Sequence, residues 1–262
     1  MSALAEARAV HGEVVRHGAV AHVTVGDGSL RNALGVDGWD RLRRTAEELT
    51  GLPDLMAVVL RGAGGTFCAG FRLDGWLDAD SDSVDASFAA MEAALQAVER
   101  IDVPTVAVVE GVAAGAGCQL ALACDLRVAA PSARIGMPIL RLGILCSPGF
   151  ALRLTTLVGA SRAKELLYTG RLLPAGQAAD YGLLTEVAPE DGLDDAVARL
   201  VATLLAQPRT ALVAAKAATA AALASLRAQS DAPAWRFSDR VEFPARVRRF
   251  LARSGRDSTQ TD

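Results

Sequence analysis

"EGVAAGAGCQLALACDLRVAA" occupies residues 110–130. Small apolar residues run into Gly115-Ala116-Gly117, and the chain then enters an apolar stretch that holds one amide, Gln119. Glycine and alanine at a turn let a second backbone or a ligand come close. A helix is expected to begin near Ala116, and its first N–H groups have no intrahelical partner. They point outward at the positive end of the helix dipole, which suits negative charge. "RGAGGTFCAGFRLDGW" (61–76) repeats the logic: a buried strand, then a turn of small residues. N–H groups converging from two such turns would form an oxyanion hole. The same residues also permit close helix–sheet packing, and either turn alone does not separate the two readings. A nucleotide fingerprint fits worse. "GAGGTF" lacks the lysine of a P-loop, and "GVAAGAG" lacks the acidic residue that a dinucleotide site places downstream.

Working outward, residues 13–26 alternate apolar and polar on either side of His17–Gly18 and read as a hairpin. Residues 35–51 have helical spacing with a stop at Gly51. Residues 55–65 form a buried strand that ends in glycine. The Asp-rich run 77–86 is expected to be a mobile loop covering the site, and the helix proper is placed at 87–101. A strand follows Pro104. Residues 125–137 read as a strand pair turning at Pro131–Ser132. Helices are expected at about 150–168, 174–181, 192–206, 208–226 and 234–252. The order is strand–strand–helix units followed by helices, an α/β class with a largely covered sheet. The division expected is a core over 1–190, a C-terminal helical region over 191–252 and a disordered tail over 253–262.

Composition narrows the function classes. The chain has 262 residues, 51% apolar, so a sizeable core can form. Net charge is −3 with both signs interspersed, unlike the basic footprint of a nucleic-acid binder. The longest apolar stretch, "ALVAAKAATAAALASL", carries a lysine and is too short for a bilayer span. The first fifteen residues show no apolar signal core, so a cytoplasmic protein is expected. Cys68, Cys118, Cys124 and Cys146 form no C-x-x-C pair and read as reduced thiols. His11, His17 and His22 all fall in the first strands and make no metal pair, so no metal is expected.

"FCAGFRL" together with "GVAAGAGCQLALACDLRVAA" resembles the enoyl-CoA hydratase/isomerase (crotonase) superfamily. "LRNALG", the run from "LRLGILCSPG" to "YGLLTEV", and "QPRTALVAAK" carry the resemblance across residues 12–252. It implies a spiral of ββα units with a helical C-terminal extension, assembled as a trimer or a dimer of trimers. It implies an acyl-CoA thioester as ligand and no cofactor beyond the coenzyme A of the substrate. The thioester oxygen would be held by the N–H groups of Phe71 and Ala116, where an enolate is stabilised. The coenzyme-contacting turn would include Arg31 and Ala33. The first glycine turn would add Ala69, Gly70, Arg72, Leu73, Asp74 and Trp76, and the second half of the site Gly115, Pro138 and Ser147.

The departures fall on the acid–base chemistry. The family's hydratases use two glutamates around the added water. Their positions are Gln119 and Ile139 here, and neither side chain exchanges a proton at neutral pH. Glu92, on the 87–101 helix, either stands in as a base or faces solvent. Arg72 either pairs with Asp74 or meets a coenzyme phosphate, and Arg246, Arg248 and Arg249 either reach such phosphates or form a solvated face. Ser147 and Cys146 lack a neighbouring base and read as packing residues. Dehalogenation, which some relatives perform, is not supported, because Ser147 stands where they carry an aspartate. Two readings remain: an enzyme working through an enolate without the two hydratase glutamates, or a protein that binds and carries acyl-CoA without catalysis.

Overall fold

The hairpin about His17–Gly18 is present. β1 (Val14–His17) pairs antiparallel with β2 (Val20–Val25), Val14 opposite Val23 and His17 opposite Val20. The computed structural model describes residues 14–77, 79–230 and 236–257. His17 and His22 meet edge to face on this hairpin, and His11 lies outside the described residues. α1 (Val36–Leu49) follows and turns Trp39, Leu42, Ala46 and Leu49 inward, one or two helical turns apart. Its end is set by Thr50, whose N–H and hydroxyl both donate to Ala46 O, and by Gly51 at φ +79°.

The remaining strands of the main sheet run parallel. β3 (Ala57–Gly62) pairs with β2. The helix α2 (Ser81–Arg100) then crosses to β4 (Thr105–Val109), which pairs with β3. Every residue of β4 is buried, as expected of a parallel strand covered on both faces. The mobile loop expected over 77–86 is corrected here. α2 starts at Ser81, because Asp80 accepts from Ser83 N (2.8 Å) as its N-cap, Asp82 sits in the first turn, and Val84, Phe88 and Met91 begin its buried stripe. The acidic run is a helix start; Asp78 lies outside the described residues.

The strand pair expected over 125–137 is also corrected. β5 (Val112–Ala114) leads into α3 (Ala116–Ala123), and β6 (Leu126–Ala129) and β7 (Arg134–Gly136) follow. β6 extends the main sheet beside β4, whereas β7 pairs with β5 in a second sheet. Pro131–Ser132 therefore marks a bend from one sheet to the other, and Gly111, at φ +53°, makes the matching bend between β4 and β5. α4 (Pro148–Thr169) is broken at Gly159 (φ +76°) and leads to β8 (Leu172–Pro174), antiparallel to β7. α5 (Ala175–Asp180) and β9 (Glu186–Val187) complete the order β1-β2-β3-β4-β6-β9 and β5-β7-β8.

The C-terminal helices cover and staple this core. α6 (Leu193–Leu205) lies on the face made by Val20, Val59, Val106 and Val128. α7 (Arg209–Ala222) is tied by Arg209 to Leu52 O, Leu55 O and Asp102, and by Lys216 to Val103 O and Asp125. α8 (Ala224–Ser230) packs on α4. α9 (Glu242–Asp257) buries Phe243 and Val247 against the segments Asp74–Trp76 and Pro138–Leu142. Its helix runs through 253–257, which were expected to be tail; residues 258–262 lie outside the described residues.

Candidate active site

The two glycine turns meet. Residues 67 and 68 run beside β5, with Phe67 N donating to Glu110 O (2.9 Å), Cys68 N to Val112 O (3.0 Å) and Ala114 N to Cys68 O (3.1 Å). The next residues pair with the turn after β2: Ala69 N donates to Arg31 O, Leu34 N to Gly70 O and Arg72 N to Leu34 O. That turn is held by Asn32, fully buried at φ +58°. Its amide N–H donates to Ala63 O and Thr66 O, and its oxygen accepts from Gly28 N. Arg31 and Ala33 flank this latch, Arg31 exposed and Ala33 half-buried.

Among the described residues, the N–H groups of Gly70 and Phe71 donate to no carbonyl, and neither does that of Ala116 at the start of α3. The geometry brings Gly70, the residue before Phe71, against Ala114 and Ala116. A Cβ on Gly70 would stand 2.7 Å from Ala114 O and 3.3 Å from Ala116 N, and one on Gly117 only 1.9 Å from Cys68 O. Only glycine allows that approach, and Gly70 (φ +110°) and Gly115 (φ +55°) also need the left-handed region. Ile139 is buried beside the pair, its Cγ2 3.7 Å from where a Cβ on Gly115 would be. Pro138 opens the short helix that carries it. The Phe71 ring stacks on Trp76 (4.3 Å between centroids), and the Trp76 indole N–H is buried without a partner among the described residues. Leu73 is half-buried and its carbonyl accepts from Trp76 N.

Gln119 points elsewhere. It is fully buried; its Nε2 donates to Phe150 O (3.3 Å) and Met137 Sδ (3.5 Å), and its Oε1 accepts from Arg153 (3.4 Å). Arg153 is itself buried and carries two carboxylates. It donates to Glu92 Oε2 from Nη1 (3.0 Å) and to Glu99 Oε1 from Nε (3.0 Å), and Nη2 reaches both acids. Burial alone would lower the Arg153 pKa, but Glu92 and Glu99 outweigh it and raise it. The solvent-facing alternative for Glu92 is thereby corrected: both its oxygens lie inside the fold on Arg153. Beside this cluster opens a cavity of about 500 Å³, at the C-terminal end of α3 and away from the Phe71–Ala116 pair. Arg127 lines it, buried, donating to Leu183 O (2.7 Å), Cys124 O (2.6 Å) and Ala121 O (3.4 Å).

The other candidates are plainer. Arg72 pairs with Asp74 (2.6 Å), both about half-exposed, and the guanidinium lowers the Asp74 pKa. Ser147 is the N-cap of α4, accepting from Phe150 N (3.2 Å). Burial pushes the Cys146 thiol up to about 11 and those of Cys68, Cys118 and Cys124 up to about 12, so none is poised as a thiolate. Arg246 pairs with Glu242, Arg248 donates to Leu77 O and Arg249 to Ala245 O. Reading the sequence missed Arg153 and Asn32. An arginine inside the apolar run "FALRLTTLV" is the signal for the first. No local signal marks the second beyond the tolerance of Asn for left-handed backbone.

This architecture is the crotonase fold. An enoyl-CoA hydratase/isomerase from Xanthobacter autotrophicus Py2 superposes with a TM-score of 0.80 at 26% identity, covering 97% of this chain and 99% of that one. An enoyl-CoA hydratase from Mycobacterium avium subsp. paratuberculosis K-10 gives 0.79 at 26%, covering 93% and 96%. In sequence, the Mycobacterium bovis protein named probable enoyl-CoA hydratase echA8 is 35% identical over 195 residues, 74% of each chain. The enoyl-CoA hydratase/isomerase family profile matches residues 16–239. The chain belongs to the enoyl-CoA hydratase/isomerase family. Among the described residues, no helix is long and apolar enough to cross a membrane.

Proposed function

We propose that the protein binds an acyl-CoA thioester with its carbonyl oxygen between the N–H groups of Phe71 and Ala116, and stabilises there the enolate formed at the α-carbon. The observation that carries this reading is the contact of the two turns at Gly70 and Ala114–Ala116, beside which both donors stay open at the positive end of α3. Donors aimed at developing charge in a water-poor site act more strongly than they would in bulk water. Addition of water by two carboxylates is not the reaction we propose. Gln119 is committed to Phe150, Met137 and Arg153, and Ile139 presents hydrocarbon beside the hole. Isomerase or lyase chemistry through the enolate fits better. Binding without turnover is the second reading, favoured by the same commitment of Gln119. A cytoplasmic homotrimer or homohexamer belongs to the proposal, and α7, which buries no residue in the single chain, supports an assembly.

The test is incubation of the protein with saturated, enoyl and hydroxyacyl-CoA esters in D₂O, followed by mass spectrometry of every ester. Deuterium at the α-carbon or a net change of any ester is the expected result. Co-elution of unchanged esters with the protein would establish the binding reading instead. If no ester binds, the thioester site itself is wrong. A Gln119→Glu, Ile139→Glu double variant sharpens the outcome, since hydration gained only there would locate the missing groups.

A further inference from the structure

We propose that Phe237 closes the acyl side of this site and confines it to short acyl groups. The inference rests on the thioester reading above. It begins from a closed circuit of contacts that joins the two donors by way of the C-terminal segment. From Phe71, the ring reaches Phe88 on α2 (6.2 Å), and Phe88 stacks on Phe237 (5.2 Å, 8° between planes). From Ala116, one helical turn leads to Gln119, whose amide donates to Phe150 O, and the Phe150 ring meets Phe237 at 6.2 Å. On this proposal a substituent that extends from a thioester carbon held between Phe71 and Ala116 runs toward the inside of this circuit, with Phe237 across its far side.

The rings leave no slot through which a chain could continue. An alkyl chain between two aromatic faces needs a centroid separation of about 7 Å, one van der Waals contact of about 3.5–4 Å on each side. The ring neighbours here stand at 4.3 Å (Phe71–Trp76), 4.9 Å (Trp76–Phe88) and 5.2 Å (Phe88–Phe237), and the widest, Phe71–Phe88 and Phe150–Phe237, at 6.2 Å. Nor is Phe237 held by its side chain alone. Its N–H donates to Asp85 Oδ1 (3.0 Å) on α2, and its carbonyl accepts from Leu145 N (2.8 Å). Next to it Ser238 pairs with Ile144, and Asp239 N donates to Gly143 O (3.1 Å). The main chain thus fixes the backbone of residue 237 and the Phe88 and Phe150 rings fix its side chain, so the limit on acyl length follows from the identity of residue 237.

The experiment is calorimetric titration of the full chain with saturated acyl-CoA esters from acetyl to decanoyl. For the wild type, the expected affinity stops rising beyond the shortest esters. For Phe237→Ala, the affinity should climb about fourfold for each methylene admitted. The slope against chain length is the readout, because a merely structural role would shift every ester alike. Should Phe237→Ala not fold, Phe237→Leu gives a smaller slope of the same sign, and Asp85→Ala loosens the tether with the ring intact. A wild-type affinity that climbs through decanoyl, or identical length profiles for wild type and variants, overturns the size limit and leaves the thioester reading standing. If no ester binds the wild type at any length, the thioester reading falls and this inference with it.

Discussion

The two ends of α3 are treated in opposite ways. At its N-terminus Ala116 has an N–H with no carbonyl partner among the described residues, and Phe71, next to the Gly70 that packs on Ala114–Ala116, has another. At its C-terminus the carbonyls of Ala121 and Cys124 are capped by the buried Arg127 guanidinium. On the flank between them Gln119 and Arg153 occupy each other and Glu92, Glu99 and Phe150. A backbone donor left unpaired inside a fold costs about 1–3 kcal/mol, so open donors persist where something else engages them. Closed clusters of this kind stabilise without reacting. The helix therefore separates polar atoms left open from polar atoms already engaged within the fold.

The contrast can be broken at either end. Arg153→Leu takes the cation from Glu92 and leaves Glu99 only Arg227 (3.5 Å), and the expected loss is at the lower end of about 3–5 kcal/mol in urea unfolding. A loss below about 1 kcal/mol would show that the cluster does not hold the fold. Ala116→Pro removes one open donor at a helix position where proline is tolerated. The unfolding midpoint should barely move, while α-deuteration of a bound ester slows by about 10²–10³-fold, or 2.7–4 kcal/mol. An unchanged exchange rate would take Ala116 out of the site.

Alkaline pH probes the packing of α3 as a whole. Cys118 and Cys124, and Cys68 beside Gly117, have thiols raised from about 9 to about 12 by burial. Above pH 9 the unfolded chain loses these protons and the folded chain keeps them, so stability is complete below pH 9 and declines toward pH 12. Thermal midpoints measured from pH 8 to 10.5 should fall steadily once past 9. A flat profile would mean that the thiols are hydrated. The smallest effect is expected from the exposed pair. Asp74→Asn should change stability by less than about 1 kcal/mol and vanish in high salt, because water already screens the Arg72–Asp74 contact. Comparing it with Arg153→Leu sets an exposed pair against a buried cluster.

Much of this was legible in the sequence. The period-two run around His17–Gly18 and the apolar strand before Gly62 announce strands through local pattern, and the structure has both. The glycines of the two turns marked where backbones touch. What the sequence hid depends on partners far along the chain. The acidic run before Ser87 reads as a loop until Asp80 is seen to cap a helix whose stripe begins at Val84. "DLRVAAPSARIGM" has the local marks of a hairpin, and only the parallel pairing of β6 to β4 and β7 to β5 sends its halves into different sheets. Glu92 looked amphipathic and solvent-facing because Arg153, the charge it faces, lies on another helix.

Phe71 and Ala116 belong to chain segments separated by all of α2 and two strands, and those segments meet where Cys68 pairs in parallel with Ala113. Parallel pairing closes long loops before it returns any contact, so it forms late and cooperatively when a chain folds. No early, locally structured form of this protein can hold the two N–H groups together. Ligand capture during refolding would therefore follow the slowest global phase, and the site serves as a built-in clock for completion of the fold.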